Sequence, residues 1–283
     1  MPGTSHCGAY GFRLVLADPG VRLDGLVPLP PETDEVRLAW RAAPTPHDAF
    51  EAGEDRVLVA VKGQVTLEVL RRPRSVSLAL PTMPTADAIV HPVATTPLAI
   101  LSRWRGDVAL HAGAVVHDGG AYALCGAQGA GKSTMLALLA ERGLPVAADD
   151  LLVVDDGDVL VGPRCVDLRP DVASRFPEAR FLGVVGARER YRLSTAAAPP
   201  RVPLRGLFLL EWTDAPTTSV SPLSLEERVG LVHEFDYAAL VGLPHPEALL
   251  DLLALPMWRF ARPRDWGASD DALDRFLETA GGH

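Results

Sequence analysis

Lysine is almost missing from this chain of 283 residues: Lys62 and Lys132 are the only two, against 25 arginines. Cysteine is scarce as well. Cys7, Cys125 and Cys165 are odd in number, far apart and in no metal-like spacing, so neither a disulfide framework nor a zinc site is indicated. No uninterrupted apolar run approaches the ~18 residues needed to cross a bilayer. The opening "MPGTSHCGAYGFRLVLADPG" lacks the basic start and apolar block of a secretory signal. A soluble, cytoplasmic protein with no membrane partner is therefore expected. Positive charge is also in deficit: 27 Lys and Arg against 36 Asp and Glu leave a formal net charge of −9. That balance argues against a protein whose main business is gripping DNA or RNA.

Hydrophobic residues, at 48% of the chain, are plentiful enough for a substantial core in one large domain or two modest ones. Over residues 1–94 the stretches "GFRLVLAD", "EVRLAWRA", "DRVLVAVKG", "QVTLEVLRR" and "SVSLALP" alternate at period two, with Pro and Gly clusters between them. This predicts a β-rich N-terminal domain. "TTPLAILSRWRG" reads as a short helix with Thr96 as N-cap and Pro97 at the first helical position. Across 95–283 strands alternate with helices, the texture of an α/β domain. "VALHAGAVVHDGGAYALCG" predicts two strands about an "HDGG" turn, then a helix from Gly131 to Arg142 closed by Gly143, then one strand over "LPVAADDLLVV". "PLRGLFLLEW" reads as a buried strand, and "SLEERVGLVHEF", "HPEALLDLLAL" and "SDDALDRFLETA" as amphipathic helices. "AAAPPRVP" reads as an exposed connection.

One of the two lysines lies in "CGAQGAGKST". Gly126, Gly131, Lys132 and Ser133 match the spacing GxxxxGKS, after a predicted strand and at the start of a predicted helix. Over Gly126, Ala127, Gln128, Gly129, Ala130, Gly131, Lys132, Ser133 and Thr134, such a loop turns its N–H groups inward on a phosphate. Lys132 would neutralise β- and γ-phosphate charge and Ser133 would bind a magnesium ion, so ATP and Mg2+ are the expected cofactors. Cys125 reads as a small residue ending a buried strand.

A carboxylate is needed beside such a loop, and three segments offer one. "PVAADD" carries Asp149 and Asp150, "LLVVDD" carries Asp155 and Asp156, and "LFLLEW" carries Glu211. The first lies one helix and one short strand after the loop, where two carboxylates can divide proton transfer and metal holding between them; a turn-capping pair is the plain alternative. The second resembles a hairpin turn at Asp156-Gly157. Glu211, if it is the working acid, makes the chain an ordinary ATPase. His111, in "ALHAGAVV", occupies a strand position where an apolar residue is expected, as a buried hydrogen-bonded histidine or as a partner for the acidic doublet.

Together, "LHAGAVVHDGGAYALCGAQGAGKSTMLALLAERGLPVAADD" resembles the nucleotide-binding core of the HPr kinase/phosphatase family and its HPr-kinase-like relatives. The matching pieces are His111, the loop from Gly126 to Ser133, Arg142-Gly143 and Ala148-Asp149-Asp150, about forty residues in all. The resemblance implies a phosphoenolpyruvate-carboxykinase-like version of the P-loop architecture, with a mixed-sheet kinase core. It implies ATP-dependent phosphorylation of a serine hydroxyl, with Asp149 as general base, His111 near it, and Asp150 supporting the metal or the base. The family's "EIRG" glutamate has its nearest counterpart in "VDLRP", which makes Asp167 a metal-site candidate; an N-cap of a "RPDVASRF" helix is the other reading. No counterpart of the family's dephosphorylating segment is present, so a kinase without phosphatase activity is implied.

The β-rich N-terminal part is similar to HPr-kinase-like proteins of peptide-maturation pathways, including lasso-peptide precursor kinases. That points to a serine on a small protein or peptide as acceptor, with a small-molecule hydroxyl as the alternative, and is compatible with a homo-oligomer. Arg188, Arg190 and Arg192 in "GARERYRLS" are candidates to complete a charge clamp. Two rival readings stand beside this one: the Glu211-dependent ATPase, and a nucleotide-dependent module that binds a peptide without chemistry.

Overall fold

The alternating N-terminal stretches form strands because each offers an apolar side chain to one face at every second residue. The structure, a computed structural model, describes residues 7–17, 21, 23–43, 49–61, 65–81, 85–185 and 188–282. Lys62 and the first two residues of "GARERYRLS" lie outside these. The first sheet comprises β1 (Cys7–Ala9), β2 (Phe12–Leu16), β3 (Val27–Pro28), β4 (Glu35–Ala42), β5 (Ala49–Ala52), β6 (Arg56–Val61), β7 (Val65–Leu70) and β8 (Ser75–Leu80). Their order is β3-β1-β2-β4-β8-β7-β6-β5. In β4, Val36 and Leu38 are buried while Arg37 between them is exposed.

The buried face of this sheet packs on Leu98, Ala99, Ile100 and Leu101 of the helix that follows it, in one apolar core. That helix corrects an expectation. A short α1 (Ala86–Ala88) and a further helical turn over 89–93 lead into α2 (Thr95–Arg105), whose N-cap is Ala94 rather than Thr96. Pro97 stands in the first turn, where its missing N–H has no intrahelical partner to lose.

A second sheet carries the rest. Its elements are β9 (Val108–Leu110), β10 (Gly113–His117), β11 (Gly120–Cys125), α3 (Lys132–Glu141), β12 (Val146–Ala148), β13 (Leu152–Asp155) and β14 (Asp158–Leu160). After it come β15 (Cys165–Leu168), α4 (Pro170–Ala173), β16 (Arg180–Val185) and β17 (Arg188–Ser194), then β18 (Arg201–Thr213) and β19 (Ser219–Pro222). The chain closes with α5 (Leu225–Glu234), α6 (Pro246–Ala254), β20 (Met257–Pro263) and α7 (Ser269–Gly281). The order β12-β10-β11-β18-β14-β13-β9 mixes parallel and antiparallel pairs, and β20 runs parallel to β18. β15, β17 and β16 form a separate small sheet. The architecture is thus mixed α/β. Among the described residues no helix is long and apolar enough to cross a membrane.

Two predicted strands are broken. "VALHAGAVVH" divides into β9 and β10, and "LPVAADDLLVV" into β12 and β13. The breaks lie side by side, because β10 pairs with β12 through Ala114 and Ala148 while β9 pairs with β13 through Leu110 and Leu152. "AAAPPRVP" is less exposed than expected: Ala198 is buried, the Pro200 carbonyl accepts from Val161 N–H at 3.1 Å, and β18 begins at Arg201. The turn at Asp156-Gly157 is a two-residue hairpin, closed by the Asp155–Asp158 pair, with φ of 49° and 76°.

Phe208 of β18, Phe260 of β20 and Phe276 of α7 cluster with Tyr122 of β11, with 4.6 Å between the Phe208 and Phe276 ring centroids. Each fully buried aromatic of this kind contributes about 1.5–3 kcal/mol from burial alone. The cluster fixes β11, β18 and β20 against one another, and the C-terminal ends of all three meet the glycine loop.

Candidate functional site

β11 is buried throughout, and the chain leaves it through a loop that only glycine permits at two points. At Gly126 φ is 150°, and a Cβ would lie 2.9 Å from the Leu210 carbonyl oxygen. At Gly131, the N-cap of α3, φ is 83° and a Cβ would lie 2.5 Å from the Arg262 guanidinium. The loop's carbonyls are held from behind. Trp212 Nε1 donates to Gly129 O at 2.9 Å and Arg262 Nη2 to Ala130 O at 2.7 Å. Lys132 Nζ donates to Gly126 O at 2.6 Å. The N–H groups of Gly129, Gly131, Lys132 and Ser133 have no acceptor among the described residues. A ring of unused donors at a helix start is a cradle for phosphate oxygens. Burial draws the Lys132 ammonium below its ordinary pKa, while Asp150 opposes the shift.

Each of the two strand breaks is a three-residue turn. Ala112 N–H donates to Leu110 O across His111, and Leu151 N–H donates to Asp149 O across Asp150, both at 2.9 Å. His111 is therefore not on a strand; it and Asp150 are the central residues of two facing turns. Asp150 takes φ of 71°, uncommon for a residue other than glycine. His111 Nε2 lies 3.7 Å from Asp150 Oδ1, and its ring stacks on Tyr237 with centroids 5.7 Å apart. Burial pushes the His111 pKa down, against the pull of Asp150.

Asp149 faces the other way. It is 5% exposed; its Oδ1 accepts from Ser133 Oγ at 3.0 Å and its Oδ2 from Asp167 N–H at 3.1 Å. Burial, then the neighbouring Asp150, pushes its carboxyl up to about 7. Asp150 is the member of the doublet that lines the open cleft, together with His111, Lys132 and Ser133.

Asp167 lies on β15, not ahead of a helix, and α4 is capped by Arg169 with no side-chain bond, which removes the N-cap reading. Its carboxylate is already paired: Arg192 donates from Nε to Oδ1 at 2.8 Å and from Nη2 to Oδ2 at 3.1 Å, with Arg190 Nη1 at 3.4 Å. Asp167 therefore supports Asp149 through its backbone and neutralises two arginines; a metal would have to displace Arg192. The same pairs use up Arg190 and Arg192. Of the three arginines in "RERYR", Arg188 alone has no carboxylate partner among the described residues; it lines the cleft, and Arg169 joins it there.

Glu211 is on the opposite face of β18 from Trp212. It pairs with Arg259, which also binds Glu227 of α5 at 2.7 Å, and it is not part of the cleft wall. Sequence reasoning overlooked His91, behind the cleft wall, and several residues of the wall itself. His91, buried in "IVHPV", has Nε2 3.9 Å from Asp167 and 4.0 Å from Asp150. Burial lowers its pKa while those two carboxylates oppose the shift. Arg262, Trp212 and Arg169 complete the cleft, whose volume is about 1060 Å3. The signal for His91 was a histidine in an apolar run; that for Arg262 was an arginine at an inward position of "MWRFARP". Among the described residues no three His, Cys, Asp or Glu converge as a metal set. Ser133, Asp149 and Asp150 nonetheless offer hard oxygen donors suited to magnesium, which takes few protein ligands and keeps water and phosphate oxygens for the rest.

No family model matches the sequence, and no curated protein matches it. Among solved structures, the HPr(Ser) kinase/phosphatase from Coxiella burnetii aligns at 12% identity over 62% of this chain and 90% of that one, with a TM-score of 0.30. A likeness of that size carries no argument about function, so the reading below rests on the residues themselves.

Proposed function

We propose that the chain is an ATP-dependent phosphotransferase with a P-loop, phosphoenolpyruvate-carboxykinase-like core, passing the γ-phosphoryl group to a hydroxyl. The observation that carries this is the convergence of Ser133, Asp149, Asp150 and His111 at the start of α3. An ATP-binding loop alone fits many proteins. A loop facing a second, cleft-lining carboxylate with a histidine at its side fits one that must also accept a proton.

The geometry favours a division of labour opposite to the one the sequence resemblance implied. Asp149 has both oxygens engaged and holds the Ser133 hydroxyl, the place of the acid that helps hold magnesium in P-loop proteins. When bound, the ion would neutralise phosphate charge. Asp150 faces the cleft, and it takes the proton as the acceptor hydroxyl attacks the γ-phosphorus. The new O–P bond forms as the bond to the β–γ bridging oxygen breaks, and ADP keeps that electron pair. His111 orients Asp150. Lys132 and the loop N–H groups hold the phosphates, while Arg188 and Arg169, which line the cleft, meet charge that develops across it.

The resemblance to the HPr-kinase-like proteins points to a serine on a small protein or peptide as the acceptor. Incubation of purified protein with labelled ATP and serine-bearing peptides or small hydroxyl compounds tests the reading. Asp150→Asn should keep ATP binding and lower transfer by about 10²–10⁴-fold. Transfer at the wild-type rate would return the base to Asp149. Label that never leaves ATP, despite measurable ATP binding, would support the peptide-binding module instead.

A further inference from the structure

The cleft continues past the glycine loop along one flank of α3. Thr134 and Leu138, one helical turn apart on the same face, line it, and Val172 and Ala272 close it from two sides. Trp266 stands in its wall just beyond the end of β20. β20 ends beside the loop, since Arg262 donates to Ala130 O. A ligand whose phosphates sit on the loop and whose body follows α3 therefore runs towards Trp266.

Two of the chain's exposed indoles line this cleft, and they differ. Trp212 is committed to the protein: its N–H is bonded to Gly129 O, and the Arg262 guanidinium lies 4.1 Å from its ring centroid. Trp266 is 37% exposed, and its indole N–H has no partner among the described residues. Arg175, which is outside the cleft wall, holds it with a guanidinium 4.3 Å from the ring centroid. The turn that presents it is fixed by Asp265, whose Oδ1 accepts from Gly267 N–H at 2.9 Å. A flat, exposed indole on a fixed turn, in a cleft that Leu138, Val172 and Ala272 also line, suits a flat aromatic ring.

We propose that this arm is a nucleobase subsite in which Trp266 stacks on the base of the bound nucleotide. The proposal rests on the nucleotide reading above but not on the transfer step.

Calorimetric titration with ATP, and separately with inorganic tripolyphosphate, both with magnesium, tests it on wild type, Trp266→Ala and Trp266→Phe. Trp266→Ala should weaken ATP at least about tenfold, the scale of one base–aromatic stack, and Trp266→Phe should restore most of the loss. Tripolyphosphate should bind all three alike. An unchanged ATP affinity in Trp266→Ala overturns the subsite, as does an equal loss for tripolyphosphate, which would make Trp266 a support of the loop. If ATP binding depends on Trp266 but no acceptor is ever phosphorylated, the subsite stands and the transferase reading falls. If transfer proceeds while Trp266→Ala binds ATP normally, the opposite holds.

Discussion

Asp149→Asn should make the nucleotide-free protein more stable, and increasingly so as the pH rises. In the fold the Asp149 carboxyl is pushed up to about 7, first by burial and then by Asp150. In the unfolded chain it titrates near ~3.9. Between these values the folded protein keeps a proton that the unfolded chain gives up. The stability this group contributes is whole below the unfolded value and is lost as the pH climbs through the folded one. Asparagine cannot ionise, and it can keep both present bonds: its carbonyl accepts from Asp167 N–H, and its amide donates to Ser133 Oγ once the hydroxyl turns. At ~1.36 kcal/mol per pH unit, the advantage over wild type should grow by up to ~2.7 kcal/mol between pH 5 and pH 8. That corresponds to a rise in the Tm difference of no more than about 5–10 °C. Thermal melts of both proteins at pH 5, 6, 7 and 8 read it directly. A Tm difference that does not change with pH would refute the reasoning. The same change should impair transfer, because a buried charge beside Ser133 is retained at a cost to stability.

Lys132→Ala should lower ATP affinity by about 100-fold and abolish the stabilisation that ATP gives wild type in a thermal shift. Arg192→Met should destabilise by about 3–5 kcal/mol in urea unfolding, because it leaves the buried Asp167 carboxylate with Arg190 alone at 3.4 Å; a loss under ~1 kcal/mol would show that the pair is not buried as described. Glu211→Gln should leave transfer within about twofold of wild type, since its partner is Arg259 of β20 and it is not part of the cleft wall, whereas abolished turnover would restore the ordinary ATPase reading.

The glycine loop and its helix were legible because every signal for them is local: the spacing, the strand before, and the glycines that the turn requires. The hairpin at Asp156-Gly157 was legible for the same reason. β15, β16 and β17 were not. "GARERYRLS" offers Arg190 and Arg192 as open clamp candidates, yet they are 8% and 6% exposed. What buries them is Asp167, which lies 25 residues before Arg192 and pairs with it only once β15 and β17 are side by side. A local pattern cannot carry a charge pair closed across a sheet, and His91 was overlooked on the same ground.

The acidic doublet was half legible, and the missing half decides its chemistry. The letters placed Asp149 and Asp150 near the loop, but "LPVAADDLLVV" keeps its apolar residues on both sides of the doublet, so nothing marks a break. A continuous strand would send two adjacent carboxylates to opposite faces of the sheet, leaving one of them away from the loop. The three-residue turn prevents this: by giving Asp150 a φ of 71°, it lets one acid reach Ser133 within the core while its neighbour opens on the cleft beside His111. Strain of order 1–3 kcal/mol in such a residue persists only where the surroundings enforce it. Here they do so twice, because the turn at His111 interrupts the neighbouring ladder at the same level. Two adjacent acids thus acquire different environments from one backbone irregularity, and that difference is what the proposed division between a proton acceptor and a holder of the Ser133 hydroxyl requires.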